Sequence, residues 1–148
     1  MDSISIYAEF QRLSPRRHVR RLSEDSRKEG VVIDLLVDDL RINCNRSYMD
    51  LTVAVTTVID ADSWTPDWAA VCFLFAFIER KNDSSAIEEI LNSSRQITWL
   101  IDNFDRVYAL MLDPSHAAQK SAFFEFQAKA FKERSDKAVS AFKQGRPV

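Results

Sequence analysis

Two glycines in 148 residues set the strongest limit on what this chain can build. Gly30 and Gly145 bound a stretch of more than a hundred residues that contains none. Glycine-rich phosphate loops and dinucleotide fingerprints need several closely spaced glycines, so those nucleotide-binding classes are excluded. Tight hairpin turns need residues with positive φ, which glycine adopts without strain, so the scarcity argues against hairpin-rich β architecture as well. The expectation that remains is an all-α domain. With 46% apolar and 28% charged residues there is core enough for a single domain over 1–148. A net charge of −2 suits a phosphate backbone poorly, so no nucleic-acid partner is expected.

Punctuation along the chain divides it into helical segments. Ile6, Phe10 and Leu13 fall at helical spacing over 3–13, and Ser14-Pro15 stops that helix. A polar linker over 14–25 holds the basic run Arg16, Arg17, His18, Arg20 and Arg21. That run has the composition of a phosphate site, and Arg20-Arg21-Leu22-Ser23 that of a kinase target; a solvated loop is the simpler reading. Ser26 and Glu29 form a capping box for a helix over 27–43, with Val32, Leu35, Leu36 and Leu40 on one face. Ser47 with Asp50 caps a segment over 48–60. Its Leu51–Ile59 run is rich in β-branched residues, but a lone strand has no partner in an all-α domain, so the segment is read as helix.

Thr65-Pro66-Asp67 is the clearest helix start, with an N-cap, a proline at the first position and an acid in the first turn. The helix it opens, 66–81, is apolar nearly all round, so other helices must sheathe it. Asp83 or Ser84 caps a shorter helix carrying Ile87, Ile90 and Leu91, and 97–112 carries Trp99, Leu100, Phe104, Tyr108 and Leu112. Ser115 opens a final amphipathic helix over 115–143 with Phe124, Ala128, Phe131, Ala138 and Phe142 in a narrow stripe. Phe124, Phe131 and Ala138 repeat every seven residues, which suits packing onto its own domain or a homodimer seam. The longest apolar run, Trp68–Ile78, is too short for a bilayer, and the last helix is charged, so no integral membrane anchor is expected. The predicted architecture is about seven helices around the central one.

Catalytic chemistry finds little footing. His18 sits among arginines and His116 in a first turn, neither with cysteine or carboxylate at ligand spacing, so no metal and no cofactor is expected. Cys44 and Cys72 read as reduced core thiols. Asp34, Asp38 and Asp39 share a helix, as paired carboxylates or as a solvated face. The chain is not read as an enzyme.

An apolar helix sheathed by amphipathic ones resembles the plan of the Bcl-2 family of apoptosis regulators. Asp67-Trp68-Ala69-Ala70 followed by Val71–Phe77 is similar to that family's central-helix motif, Asn-Trp-Gly-Arg before an aromatic run. Trp99-Leu100-Ile101-Asp102-Asn103 is similar to its second homology region, and Ile33–Leu40 is a weaker match to its third. The compact size resembles a virus-encoded member. The resemblance implies an anti-apoptotic protein, cytoplasmic in a host cell and peripheral to mitochondria through its partners. It would sequester the BH3 helix of pro-apoptotic proteins in a groove between the 27–43, 48–60 and 66–81 helices. By that match Leu40, Tyr48, Val55, Ile59, Asp67, Ala70, Val71 and Phe77 line the groove. Trp68, Trp99, Asp102 and Asn103 brace the scaffold. Ala70 stands where the family has its ligand-pairing arginine, so apolar contacts would carry the binding. The alternative is a helical adaptor that binds a signalling protein through an outer face.

Overall fold

The computed structural model describes residues 3–27, 30–48, 50–58 and 67–145. Helix α1 (Ser3–Phe10) runs into a 3-10 turn at Gln11–Leu13. Four long strands follow, β1 (Val19–Arg27), β2 (Gly30–Val37), β3 (Leu40–Ser47) and β4 (Asp50–Thr57). A two-residue strand β5 (Ala69–Ala70) leads directly into helix α2 (Val71–Ile78). A 3-10 segment at Ser84–Glu89, helices α3 (Arg95–Asp102) and α4 (Phe104–Leu112), a 3-10 turn at Pro114–His116 and the long helix α5 (Ala117–Lys143) complete the chain.

The five strands form one antiparallel meander in the order β1-β2-β3-β4-β5. This corrects the all-α expectation: the fold is α+β, with helices on one face of a sheet, and it is not the helical bundle of the Bcl-2 plan. Of the expected helix over 27–43, the described residues form the end of β1, the β2 strand and the start of β3; Ser26 lies in β1, and Glu29 lies outside the described residues. The β-branched run in 48–60 follows its propensity and forms β4, because β3 is there to pair with it. The expected central helix over 66–81 is reduced to β5 and α2, and its Thr65-Pro66 start lies outside the described residues.

Side chains alternate across the sheet with period two. Ile33, Leu35 and Val37 of β2, Leu40, Ile42 and Cys44 of β3, and Leu51, Val53 and Val55 of β4 are all buried. Pairing aligns them in rows, Leu35–Ile42–Val55 and Ile33–Cys44–Val53. Against this face pack Ile6 and Phe10 of α1, Leu74 of α2, Leu100 of α3, Phe104 and Val107 of α4, and Phe123 of α5, in one core.

The helical misreading of 27–43 has a definite cause. Asp38-Asp39 is a two-residue turn, and such a turn moves the inward positions from odd to even numbers. The stripe read as helical, Val32, Leu35, Leu36 and Leu40, therefore mixes the two faces of the sheet: Leu35 and Leu40 are buried in the core, whereas Val32 and Leu36 lie half-buried on the other face.

The glycine argument fails for a related reason. Asp38 (φ 52°) and Tyr48 (φ 50°) take the left-handed conformation at the β2–β3 and β3–β4 turns. Lys81, Asn82 and Asn92 do so at helical ends. Aspartate and asparagine tolerate this region because the short side chain bonds locally. At Asp38 the turn is held instead from a distance in sequence: its carboxylate accepts the His18 backbone N–H at 3.0 Å and an Arg17 N–H at 3.1 Å. Gly30 is required for another reason. A Cβ there would lie 2.0 Å from the carbonyl oxygen of Arg46 on the neighbouring strand. Among the described residues no helix is long and apolar enough to cross a membrane.

Candidate functional site

The sheet stops short at one edge, and a groove opens there. β5 pairs with β4 only at Ala54–Ala70 and Val55–Ala69, because the chain turns into α2 at Val71. The edge of β4 over residues 51–53 is left without a strand. Gln96 of α3, only 1% exposed, takes that place: its amide donates to the Leu51 carbonyl at 2.8 Å and accepts the Val53 N–H at 3.3 Å. Gln127 of α5 repeats the arrangement on the outer edge of β5. It donates to the Trp68 carbonyl at 3.0 Å and accepts the Ala70 N–H at 2.9 Å. One glutamine amide supplies a donor and an acceptor in the spacing of a strand edge, so both edges are satisfied without a further strand.

Between these clamps lies a groove of about 650 Å³. Its floor is Leu51 and Thr52 of β4, Trp68 and Ala70; its walls are Cys72 and Phe73 of α2, Ile87 and Leu91, and Phe124, Ala128 and Phe131 of α5. Asp67 and Arg134 are the charged groups on its rim, and Arg134 is paired with Glu88. Burial pushes the Cys72 thiol above its ordinary pKa, so it stays protonated and a weak nucleophile. Cys44, deep beneath the sheet, is pushed up to about 12. Among the described residues no three His, Cys, Asp or Glu side chains group as metal ligands do. Gln96 and Gln127 are engaged with backbone and Arg134 with Glu88, and most of the remaining lining is apolar.

No protein-family model matches this chain, and no curated protein or solved structure does either. The site is read from its own chemistry.

The structure scatters the groove residues that the family resemblance implies. Asp67 and Ala70 meet in the groove, with Trp68 beside them. Leu40 and Val55 are buried beneath the sheet, and Val71 is buried at the start of α2. Tyr48 projects from the β3–β4 turn, 77% exposed. Phe77 lies on the other side of α2, edge-on to Phe123 with ring centroids 5.5 Å apart. Ile59 lies outside the described residues. Trp99 packs edge-on against Phe75 at 5.9 Å, and its ring N–H reaches Glu79 at 3.4 Å. Asn103 bridges α3 and α4, donating to the Trp99 carbonyl at 2.9 Å, while exposed Asp102 faces Arg12 at 3.8 Å. Gln96 and Gln127 were visible only as polar residues beside apolar neighbours, in Arg95-Gln96-Ile97 and Phe126-Gln127-Ala128.

The expected linker over 14–25 is largely strand: Arg20 and Arg21 lie in β1, and Arg16 and Arg17, in the turn before it, have a structural task. The Arg17 guanidinium lies 4.2 Å from the centre of the Tyr108 ring and 5.2 Å from that of Phe104. It also bonds Asp38 at 3.1 Å and Asp105 at 2.8 Å, tying the β2–β3 turn to α4. Arg16 adds a second contact to Asp105 at 3.1 Å. On the open face of the sheet, Asp34 accepts from Ser23 at 2.9 Å and from Asn43 at 3.0 Å. The paired-carboxylate reading of Asp34, Asp38 and Asp39 is replaced by separate roles in the sheet and its turn.

Proposed function

We propose that this chain is a binding module that sequesters an amphipathic helix of a partner protein. The observation that carries the reading is the groove itself. It is an apolar trough of about 650 Å³ whose backbone edges are closed by glutamine amides and which runs along one flank of α5. A helix with apolar residues at i, i+3 or i+4 and i+7 presents a ridge that such a trough accommodates. Burying that ridge is driven by apolar transfer, about 25 cal/mol per Å² removed from water. Closed strand edges leave few main-chain groups free for an extended peptide, which favours a helix over an added strand.

The narrowest form of this proposal makes that helix a BH3 segment. It rests on the sequence resemblance alone, since the groove lies elsewhere than between the three segments that resemblance named. The second reading is an adaptor that uses an outer face, favoured by the exposed phenylalanines of α5.

Fluorescence polarisation with labelled amphipathic helices, BH3 peptides among them, tests the proposal against peptides of the same composition and scrambled pattern. Binding at 1:1 that depends on the pattern is expected. Ala128→Glu places a carboxylate in the groove wall and should weaken it at least tenfold, about 1.4 kcal/mol. Equal binding of patterned and scrambled peptides, or of the variant and the parent chain, contradicts the reading.

A further inference from the structure

The groove continues as an uncovered strip on the same helix. α5 turns Phe123 and Ala130 into the core. A second strip, Phe124, Phe131, Ala138 and Phe142, points elsewhere, with Phe131 64% and Phe142 77% exposed. Phe124 and Phe131 already belong to the groove wall, so groove and strip form one surface. Phe124 and Phe142 are eighteen residues apart, five full turns and about 27 Å of helix, so both project from the same side. A straight helix cannot bring its own Phe142 back into its own groove.

We propose that a second copy of this chain fills it: two α5 helices pair antiparallel about a twofold axis, with Phe142 of each copy seated in the groove of the other. This rests on the groove being a site for an apolar helix and names its resting occupant. The register sets Phe124 against Phe142 of the second copy, Ala128 against Ala138 and Phe131 against Ser135, with the axis near Glu133. Charge agrees with it. Glu125 and Lys143 are also eighteen residues apart and border the strip on one edge. An antiparallel twofold pair brings like edges together, so Glu125 of one copy meets Lys143 of the other at both ends. Among the described residues neither side chain takes part in an ion pair within its own chain. Each copy presents the same patch and the contact closes on itself, which gives a dimer and not a fibre. A partner helix then binds by displacing the second copy, and self-association weakens its apparent affinity by mass action.

Sedimentation equilibrium on the full chain tests this. The parent chain should be dimeric at about 100 μM and dissociate on dilution. Phe142→Glu, at a site exposed in the single chain, should keep the fold and weaken self-association at least tenfold. Glu125→Lys and Lys143→Glu should each weaken it, and the double reversal should restore most of the loss. A parent chain that stays monomeric at about 100 μM overturns the proposal; so does a dimer that ignores Phe142→Glu and both charge reversals. The peptide titration repeated on Phe142→Glu separates this from the groove reading. Tighter peptide binding by that variant supports the second copy as competitor. A dimer that obeys the charge test in a chain binding no patterned peptide supports the pairing and overturns partner capture alone.

Discussion

The two halves of α5 carry similar side chains in opposite surroundings. Over Ala117–Ala130 the helix is anchored: Phe123 and Ala130 are buried, Phe77 meets Phe123 edge-on, and Gln127 holds the backbone of β5. Over Phe131–Lys143 no residue is fully buried, and Phe131, Val139 and Phe142 face outward. Helix propensity is similar along the whole segment, so the difference lies in what each half touches. The first half is held by the core; the second has apolar surface in want of a partner.

The largest expected contrast sets one phenylalanine against another. Phe123→Ala removes a fully buried ring and should cost about 3–5 kcal/mol in urea unfolding. Phe142→Ala, measured below the concentration at which chains associate, should stay within about 0.5 kcal/mol. Equal losses would erase the distinction between the halves.

The glutamine clamps sharpen the comparison. Gln96→Leu strands the Val53 N–H and the Leu51 carbonyl at a buried edge, and about 2–3 kcal/mol should be lost. Gln127→Leu frees the same two groups of β5 at a half-buried edge that water reaches, so about 1 kcal/mol is expected. A cost for Gln127→Leu above that for Gln96→Leu would reverse the ranking of the two edges.

Acid should also act at the β2–β3 turn. The His18 backbone N–H, opposed in part by desolvation and aided by Arg17, holds the Asp38 carboxyl below its ordinary range. A lowered folded value means stability that is present above the unfolded pKa, about 3.9, and is lost as pH falls through the folded one. Melting temperature should therefore drop below about pH 4, and Asp38→Asn should flatten that slope. A variant that keeps the full slope would take Asp38 out of the account.

These contrasts bear on what the sequence makes legible. The α1 helix, the apolar character of α2, the breaks at Asp83 and Asp113 and the length of α5 are all readable from spacing and caps. The sheet is not, because the Asp38-Asp39 turn disguises two strands as one amphipathic helix and because non-glycine residues take the positive-φ positions. Of the groove, Asp67, Trp68 and Ala70 carry a local motif, whereas Gln96 and Gln127 become functional only when β5 ends after two residues. That event depends on α2 starting at Val71, a tertiary outcome with no capping side chain to announce it. The stripe Phe124, Phe131, Ala138 and Phe142 is plain in the sequence, but its heptad spacing does not say that Phe123 and Ala130 take the core side instead.

A smaller effect concerns the tie between the second half of α5 and the 3-10 segment at Ser84–Glu89. Arg134 pairs with Glu88 across a partly exposed contact. Arg134→Ala should change global stability by no more than about 1 kcal/mol while speeding local opening beyond residue 134. Unchanged amide exchange there would show that the pair does not hold the second half down.

Hydrogen–deuterium exchange along α5, followed from dilute to concentrated protein and with a patterned helical peptide added, tests the central claim most directly. Amides of 117–130 should be protected throughout. Amides of 131–143 should exchange fast in dilute protein and slow as chains associate, and in Phe142→Glu they should stay fast at any concentration until peptide is added. Protection that is uniform along the helix in dilute parent chain and variant alike would contradict the account, because the second half of α5 would then already have its partner within the single chain.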